Sequence, residues 1–206
     1  MKTIPFKDKE SWLLARNGRI TGTRLKDIIV KRGTEKKIGF YELIAERLSV
    51  QNGVEELPNE TPMDRGTRLQ ATAIEKFAKK TKKKVNSDLV MWTREDNDMI
   101  AVSPDGTISD TEAIEVKCLS SARHIEALIT NKVPNEYEMQ AMQYFIVNDK
   151  LEKLYLAFYD PRIPCKEFFY LTVKRADIQE KVEEYLAYQI KELEEVNAIV
   201  AKLTKF

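Results

Sequence analysis

The sequence predicts an α/β fold with a sheet at its centre and helices before and after it. Three observations carry that expectation: an amphipathic helical stripe over residues 63–81, alternating apolar runs between residues 85 and 118, and a long charged helical pattern that closes the chain. With 206 residues, 43% of them hydrophobic and 33% charged, the chain can bury one core of ordinary size, and a single domain over residues 1–206 is expected.

The net charge of +1 makes no general field for nucleic acid, so any such partner must be met by local basic patches. Cys118 and Cys165 lie far apart without metal-ligand spacing and read as reduced packing residues, which fits a reducing cytoplasm. The start MKTIPFKDKESW lacks the apolar stretch of a signal peptide, and no window approaches the roughly 20 apolar residues of a membrane span. The expectation is a soluble cytoplasmic protein.

In chain order, Trp12, Leu13 and Arg16 fall at helical spacing, and ITGTRLKDIIV opens on hydroxyls before Leu25, Ile28 and Ile29, so two short helices are predicted. GFYELIAERLS is a further amphipathic helix, and VQNGVEELPNETP a polar loop ending near Pro62. In MDRGTRLQATAIEKFAKKT, Leu69, Ala73 and Phe77 form one stripe with Ile74 beside it. VNSDLVMWT and MIAVS read as strands around the polar loop REDND, and EAIEVKCLS as a third. Residues 121–147 read as helical, LEKLYLAFYDP and EFFYLTVK as strands, and ADIQEKVEEYLAYQIKELEEVNAIVAKL as the terminal helix, with Tyr185 and Tyr188 as packing residues. The five lysines between 79 and 84 suit either a DNA channel or a solvated helix end.

The strand period turns the run EAIEVKC into chemistry. Glu115 and Lys117 share one face while Ile114, Val116 and Cys118 face the core. Asp105, in a Pro-Asp-Gly turn at the end of the preceding strand, comes beside Glu115 if the two strands pair. Two carboxylates with an ammonium close by suit Mg²⁺, which keeps several waters and takes one or two carboxylates plus a substrate phosphate. Taken alone, this spacing also arises by chance, and Glu with Lys on one face also describes a solvated sheet surface. His124 is the chain's single histidine, which leaves a zinc site or a Ser-His-Asp arrangement without partners, and it reads as a helix-surface residue.

The stretches WLLARNGRITGT, RGTRLQATAIEKF, SPDGTI, IEVKC, QAMQY and FYDPR occur in an order that resembles the phage lambda exonuclease and YqaJ-like viral recombination nucleases, a branch of the PD-(D/E)XK superfamily. The resemblance implies a restriction-endonuclease-like core, a central mixed sheet flanked by helices. It implies Asp105 and Glu115 as metal ligands with the Val116 carbonyl as a third, Lys117 as the catalytic lysine, and Gln140 and Tyr144 as the accessory pair of RecB-type nucleases, one turn apart on a helix. Arg16 and Thr23 match positions that hold a 5′-terminal phosphate. A fork-shaped guanidinium and a helix start suit an anion, although Thr21 serves equally as an N-cap.

The chain departs from the family where a glutamate usually approaches the metal. Gln70 occupies that position, either as a natural variant or as an inactivating change. Glu75, five residues on, is turned about 140° away. Glu95, Asp96 and Asp98 compete for the place of a further family acid. The implied activity is a Mg²⁺-dependent exonuclease, with Mn²⁺ as a substitute, that degrades one strand of linear duplex DNA from a 5′ phosphate and leaves 3′ tails for recombination by strand annealing. A ring-shaped homotrimer and a single-strand annealing protein are the implied partners, in a bacterial host cell if the gene is a phage's. A structure-specific or restriction-like endonuclease, or a non-catalytic DNA-end-binding protein, are the alternatives.

Overall fold

The computed structural model describes residues 7–8, 11, 36–49 and 60–204. The helices expected over 12–29, with Arg16, Thr21 and Thr23, and most of the loop 50–62 lie outside the described residues. Two compact units are formed, one from Met1–Leu69, Cys118–Lys132 and Phe158–Phe169, the other from Gln70–Lys117, Val133–Ala157 and Tyr170–Phe206.

In the first unit, helix α1 (Ile38–Leu48) buries Tyr41 and Ala45 against Ala122, Ile125 and Ile163. Helix α2 (Pro62–Thr81) starts here. Its reciprocal cap was written in TPMD: the Asp64 N–H donates to the Thr61 hydroxyl (3.2 Å), the Thr61 N–H donates to Asp64 Oδ2 (3.1 Å), and Pro62 stands where no N–H is needed. Helix α3 (Ser121–Thr130) stops at Asn131, whose φ of 52° is left-handed, so the predicted helical stretch 121–147 is two helices.

The FYDPR stretch makes a buried knot in this unit. Asp160, 1% exposed, accepts from Arg162 Nε (2.8 Å) and Ser121 Oγ (2.6 Å), while Arg162 Nη2 donates to the Leu119 carbonyl (3.0 Å). Burial alone would raise the Asp160 pKa; the bonds from Arg162 and Ser121 outweigh it and hold the carboxyl below its usual range. His124 corrects the expectation of a surface role. It is fully buried, with its ring edge-on to Phe169 and Nε2 against the Lys166 carbonyl, and burial lowers its pKa. Cys165 is exposed rather than packed.

Most strand residues belong to the second unit. Strands β3 (Gly106–Ser109), β4 (Glu112–Lys117), β5 (Lys153–Tyr159) and β6 (Phe168–Lys174) lie in that order, so β3 is an edge, and β3 and β4 are antiparallel with Gly106 opposite Ile114. Phe77 of α2 packs on Tyr155 and Tyr170 with ring centroids 5.1 and 5.4 Å apart. Helix α4 (Asn135–Val147) buries Ala141, Met142, Tyr144 and Phe145, and its last carbonyls are capped by Arg175 Nη2, which donates to Phe145 and Asn148. Helix α5 (Arg175–Leu203) follows, with Tyr188 60% exposed instead of packed.

Two strands differ from the sequence reading. Of VNSDLVMWT and MIAVS, β1 (Trp92–Thr93) and β2 (Ala101–Val102) pair as a separate two-stranded sheet, and Asn86 makes a single antiparallel bridge to Thr107 of β3. Asn86 explains the early break: its side chain accepts the Asp88 N–H (2.9 Å), a local turn that competes with a ladder, and Leu89 and Met91 are left exposed. The partner of β4 is therefore β3, and Asp105 leads into that strand rather than ending the one before. The lysine run is partly structural, since Lys83 donates to Glu112 and lies over the Tyr155 ring, and Lys80 lies over Tyr170.

Candidate active site

Every residue described at this site belongs to the second unit. The β3–β4 register continues outward from Gly106 and Ile114, which sets Asp105 beside the Glu115–Val116 segment. Asp105 Oδ2 accepts the Val116 N–H (2.7 Å), so a side chain takes over a ladder bond just where the strand pair ends. Gly106 makes this approach feasible: a Cβ there would lie 2.5 Å from Val85 Cγ1 and 2.9 Å from Ile114 Cγ2. That is the physical reason for glycine after the aspartate in SPDG.

From α2, Gln70 Nε2 donates to Asp105 Oδ1 (2.9 Å), and Glu75 is exposed, as the helical period requires. Glu115 is 4% exposed, not on a solvated surface, because α4 covers it. Its Oε1 accepts from Lys117 Nζ (2.6 Å) and from Gln140 Nε2 (2.6 Å), and its Oε2 accepts the Tyr144 hydroxyl. The Gln140 amide closes the triangle, its Oε1 accepting from Lys117 Nζ (2.7 Å). Tyr144 is thus both a fully buried core residue and a ligand of Glu115, with the Trp92 ring edge-on to it at 6.2 Å.

Electrostatics follow from two acids meeting out of water. Burial first, and the neighbouring Glu115 charge second, push Asp105 up to about 6, against the pull of the Val116 N–H and Lys117. Burial and then the Glu115 charge also push the Tyr144 phenol upward, so it stays a donor. Glu115 Oε1 is filled by its two donors, whereas Glu115 Oε2 and both Asp105 oxygens, with one bond each, keep acceptor capacity. Two buried acids close enough for the Glu115 charge to raise Asp105, with the Lys117 ammonium beside Glu115, are a donor set that a hard divalent cation fits. Asp105 and Glu115 would hold it, with the Val116 carbonyl and, after an amide flip, Gln70 Oε1 as neutral oxygens.

Glu95, Asp96 and Asp98 are not gathered with this pair: among the described residues no group of three or more His, Cys, Asp and Glu side chains forms a metal-ligating cluster. Asp96 instead pairs with Arg94 (2.7 Å). Arg16 and Thr23 lie outside the described residues. The sequence reading passed over Tyr137, whose ring lies 4.6 Å from Lys117 Nζ. The signal was present, since residues 137, 140 and 144 follow a 3-4 spacing on one helix face.

A central sheet flanked by helices, with an acid before one strand and an acid and a lysine two residues apart on the next, defines a PD-(D/E)XK fold of the lambda exonuclease type. The YqaJ-like viral recombinase domain matches residues 11–151, and the chain belongs to that family. A crystal structure of LHK-Exo in complex with dAMP is similar at 29% identity and a TM-score of 0.55, over 95% of this chain and 100% of that one. An alkaline exonuclease (LHK-Exo) from Laribacter hongkongensis is 28% identical with a TM-score of 0.55 over the same shares. No curated protein sequence matches the chain. Among the described residues no helix is long and apolar enough to cross a membrane.

Proposed function

We propose that this protein is a Mg²⁺-dependent deoxyribonuclease that degrades one strand of linear duplex DNA in the 5′-to-3′ direction and leaves 3′ single-stranded tails for annealing. The observation that carries the reading is the closed triangle Glu115, Lys117 and Gln140, with Asp105 held beside it by the Val116 N–H and close enough to feel the charges of Glu115 and Lys117. When bound, Mg²⁺, or Mn²⁺ in its place, supplies positive charge to the phosphate oxygens and to the attacking water. Asp105 and Glu115 hold the cation. Lys117 orients the water and offers N–H groups to the phosphate, and Gln140 keeps Lys117 and Glu115 in register. Tyr144 fixes the Glu115 carboxylate by donating to its far oxygen. Arg16 and Thr23 hold the terminal 5′ phosphate. The whole chain acts as one nuclease domain, in a ring of three copies with a single-strand annealing protein, in the cytoplasm of a bacterial host.

The test is incubation with linear, nicked and circular duplexes, with and without 5′ phosphate, in Mg²⁺ and in chelator. Linear duplex should shorten from 5′ ends in Mg²⁺ alone, and circles should survive. Cleavage of closed circles would replace this reading with an endonuclease. Capture of DNA ends without turnover would replace it with a non-catalytic end-binding protein, the reading that the neutral Gln70 amide beside Asp105 favours.

A further inference from the structure

Lysine at position 117 is a flexible four-carbon stem ending in three N–H donors. One donor is taken by Glu115 and one by Gln140, and the side chain is 13% exposed. On the remaining approach stands the ring of Tyr137, its centroid 4.6 Å from Nζ, inside the roughly 6 Å range over which a ring face attracts a cation. Tyr137, Gln140 and Tyr144 stand on one face of α4 and divide the site among them. Tyr137 meets Lys117, Gln140 meets both Lys117 and Glu115, and Tyr144 meets Glu115.

We infer that Tyr137 is the positioning residue for Lys117, its ring face holding the ammonium where Glu115 alone does not. The inference rests on the nuclease reading for its catalytic consequence. Glu115 Oε1 is shared between Lys117 and Gln140, and the same carboxylate belongs to the acid pair that suits a cation. When that carboxylate serves a cation, its grip on Lys117 weakens. The ring attracts the ammonium through its face and not through a carboxylate that a cation would claim, so its hold persists. The side chain then keeps its place against the entropy of its own rotamers.

Two readouts test this, one of which needs no turnover. In metal-free protein labelled with ¹³C at lysine Cε, the Lys117 resonance, assigned by its loss in Lys117→Arg, should be shifted upfield by the ring. It should return to the ordinary lysine position in Tyr137→Leu. A resonance unaltered by Tyr137→Leu overturns the contact. In cleavage assays Tyr137→Leu should lower kcat about 2- to 30-fold with KM for linear DNA unchanged, and Tyr137→Phe should restore most of the rate.

Phenylalanines carrying increasing numbers of fluorines at position 137, which drain the ring face without changing its shape, should lower kcat stepwise. A flat response across that series, or a change in KM alone, overturns the positioning role. Wild-type protein that cuts no DNA would overturn the nuclease reading instead, and the resonance shift would still decide whether the ring holds Lys117.

Discussion

Asp105→Asn deletes a charge at the acid pair and keeps its shape, so it separates what the site is built for from what the metal-free fold prefers. The amide can keep both bonds of the carboxylate: its oxygen accepts the Val116 N–H, and its nitrogen donates to Gln70 once that amide makes a half-turn. Wild-type Asp105 is pushed from 3.8 to about 6 by burial and by Glu115. A folded-state pKa above the unfolded one means that the native state binds the proton more tightly, so stability falls as pH rises from about 4 to 6 and is flat beyond. The difference is worth on the order of 3 kcal/mol at pH 8.

Asp105→Asn should therefore be more stable than wild type at pH 8 in chelator. The expected gain is about 1–3 kcal/mol, or roughly 2–12 °C in thermal midpoint for a chain of this size. The gap should shrink by about half at pH 5 and close toward pH 4, where the wild-type carboxyl holds its proton in both states. Mg²⁺ should raise the wild-type midpoint and leave the variant's unchanged, and the variant should not cleave DNA. An Asp105→Asn protein no more stable than wild type at pH 8 would refute the claim that burial and the Glu115 charge raise Asp105.

Gln70→Glu adds a third carboxylate beside Asp105, so metal-free stability should fall while cleavage begins at lower Mg²⁺; Glu75→Gln, on the exposed side of α2, should alter neither. Gly106→Ala forces a Cβ against Val85 and Ile114 and should cost about 1–3 kcal/mol in denaturant unfolding together with most of the cleavage, and an unchanged midpoint would count against the tight packing at the start of β3. Arg16→Ala should erase any preference for phosphorylated over hydroxyl 5′ ends, a loss of about 1.5–3 kcal/mol for a charged hydrogen bond; equal preference in the two proteins would remove Arg16 from the end site.

Local rules made much of this protein legible before any coordinates. The strand period alone placed Glu115 and Lys117 on one face, and the helical period alone aimed Gln70 inward with Ala73 and Phe77 while turning Glu75 out, because both periods are properties of a single segment. The expected end of the polar loop near Pro62 meets the start of α2 for the same reason. What depended on distant segments was not legible. The apolar letters of VNSDLVMWT promised a strand, but the Asn86 turn interrupts them, and β3, four residues that follow Asp105, pairs with β4. His124 looked like a surface residue on its helix and is buried, because Phe169, from a strand more than forty residues away, closes over it. The cover over Glu115 and the ring against Lys117 likewise come from α4, and a sequence reports which face a side chain takes but not what another element brings to meet it. The Asp105 pKa is the plainest case: it is set by burial and by a second charge, both of which exist only once the strands have paired and the helices have closed over them.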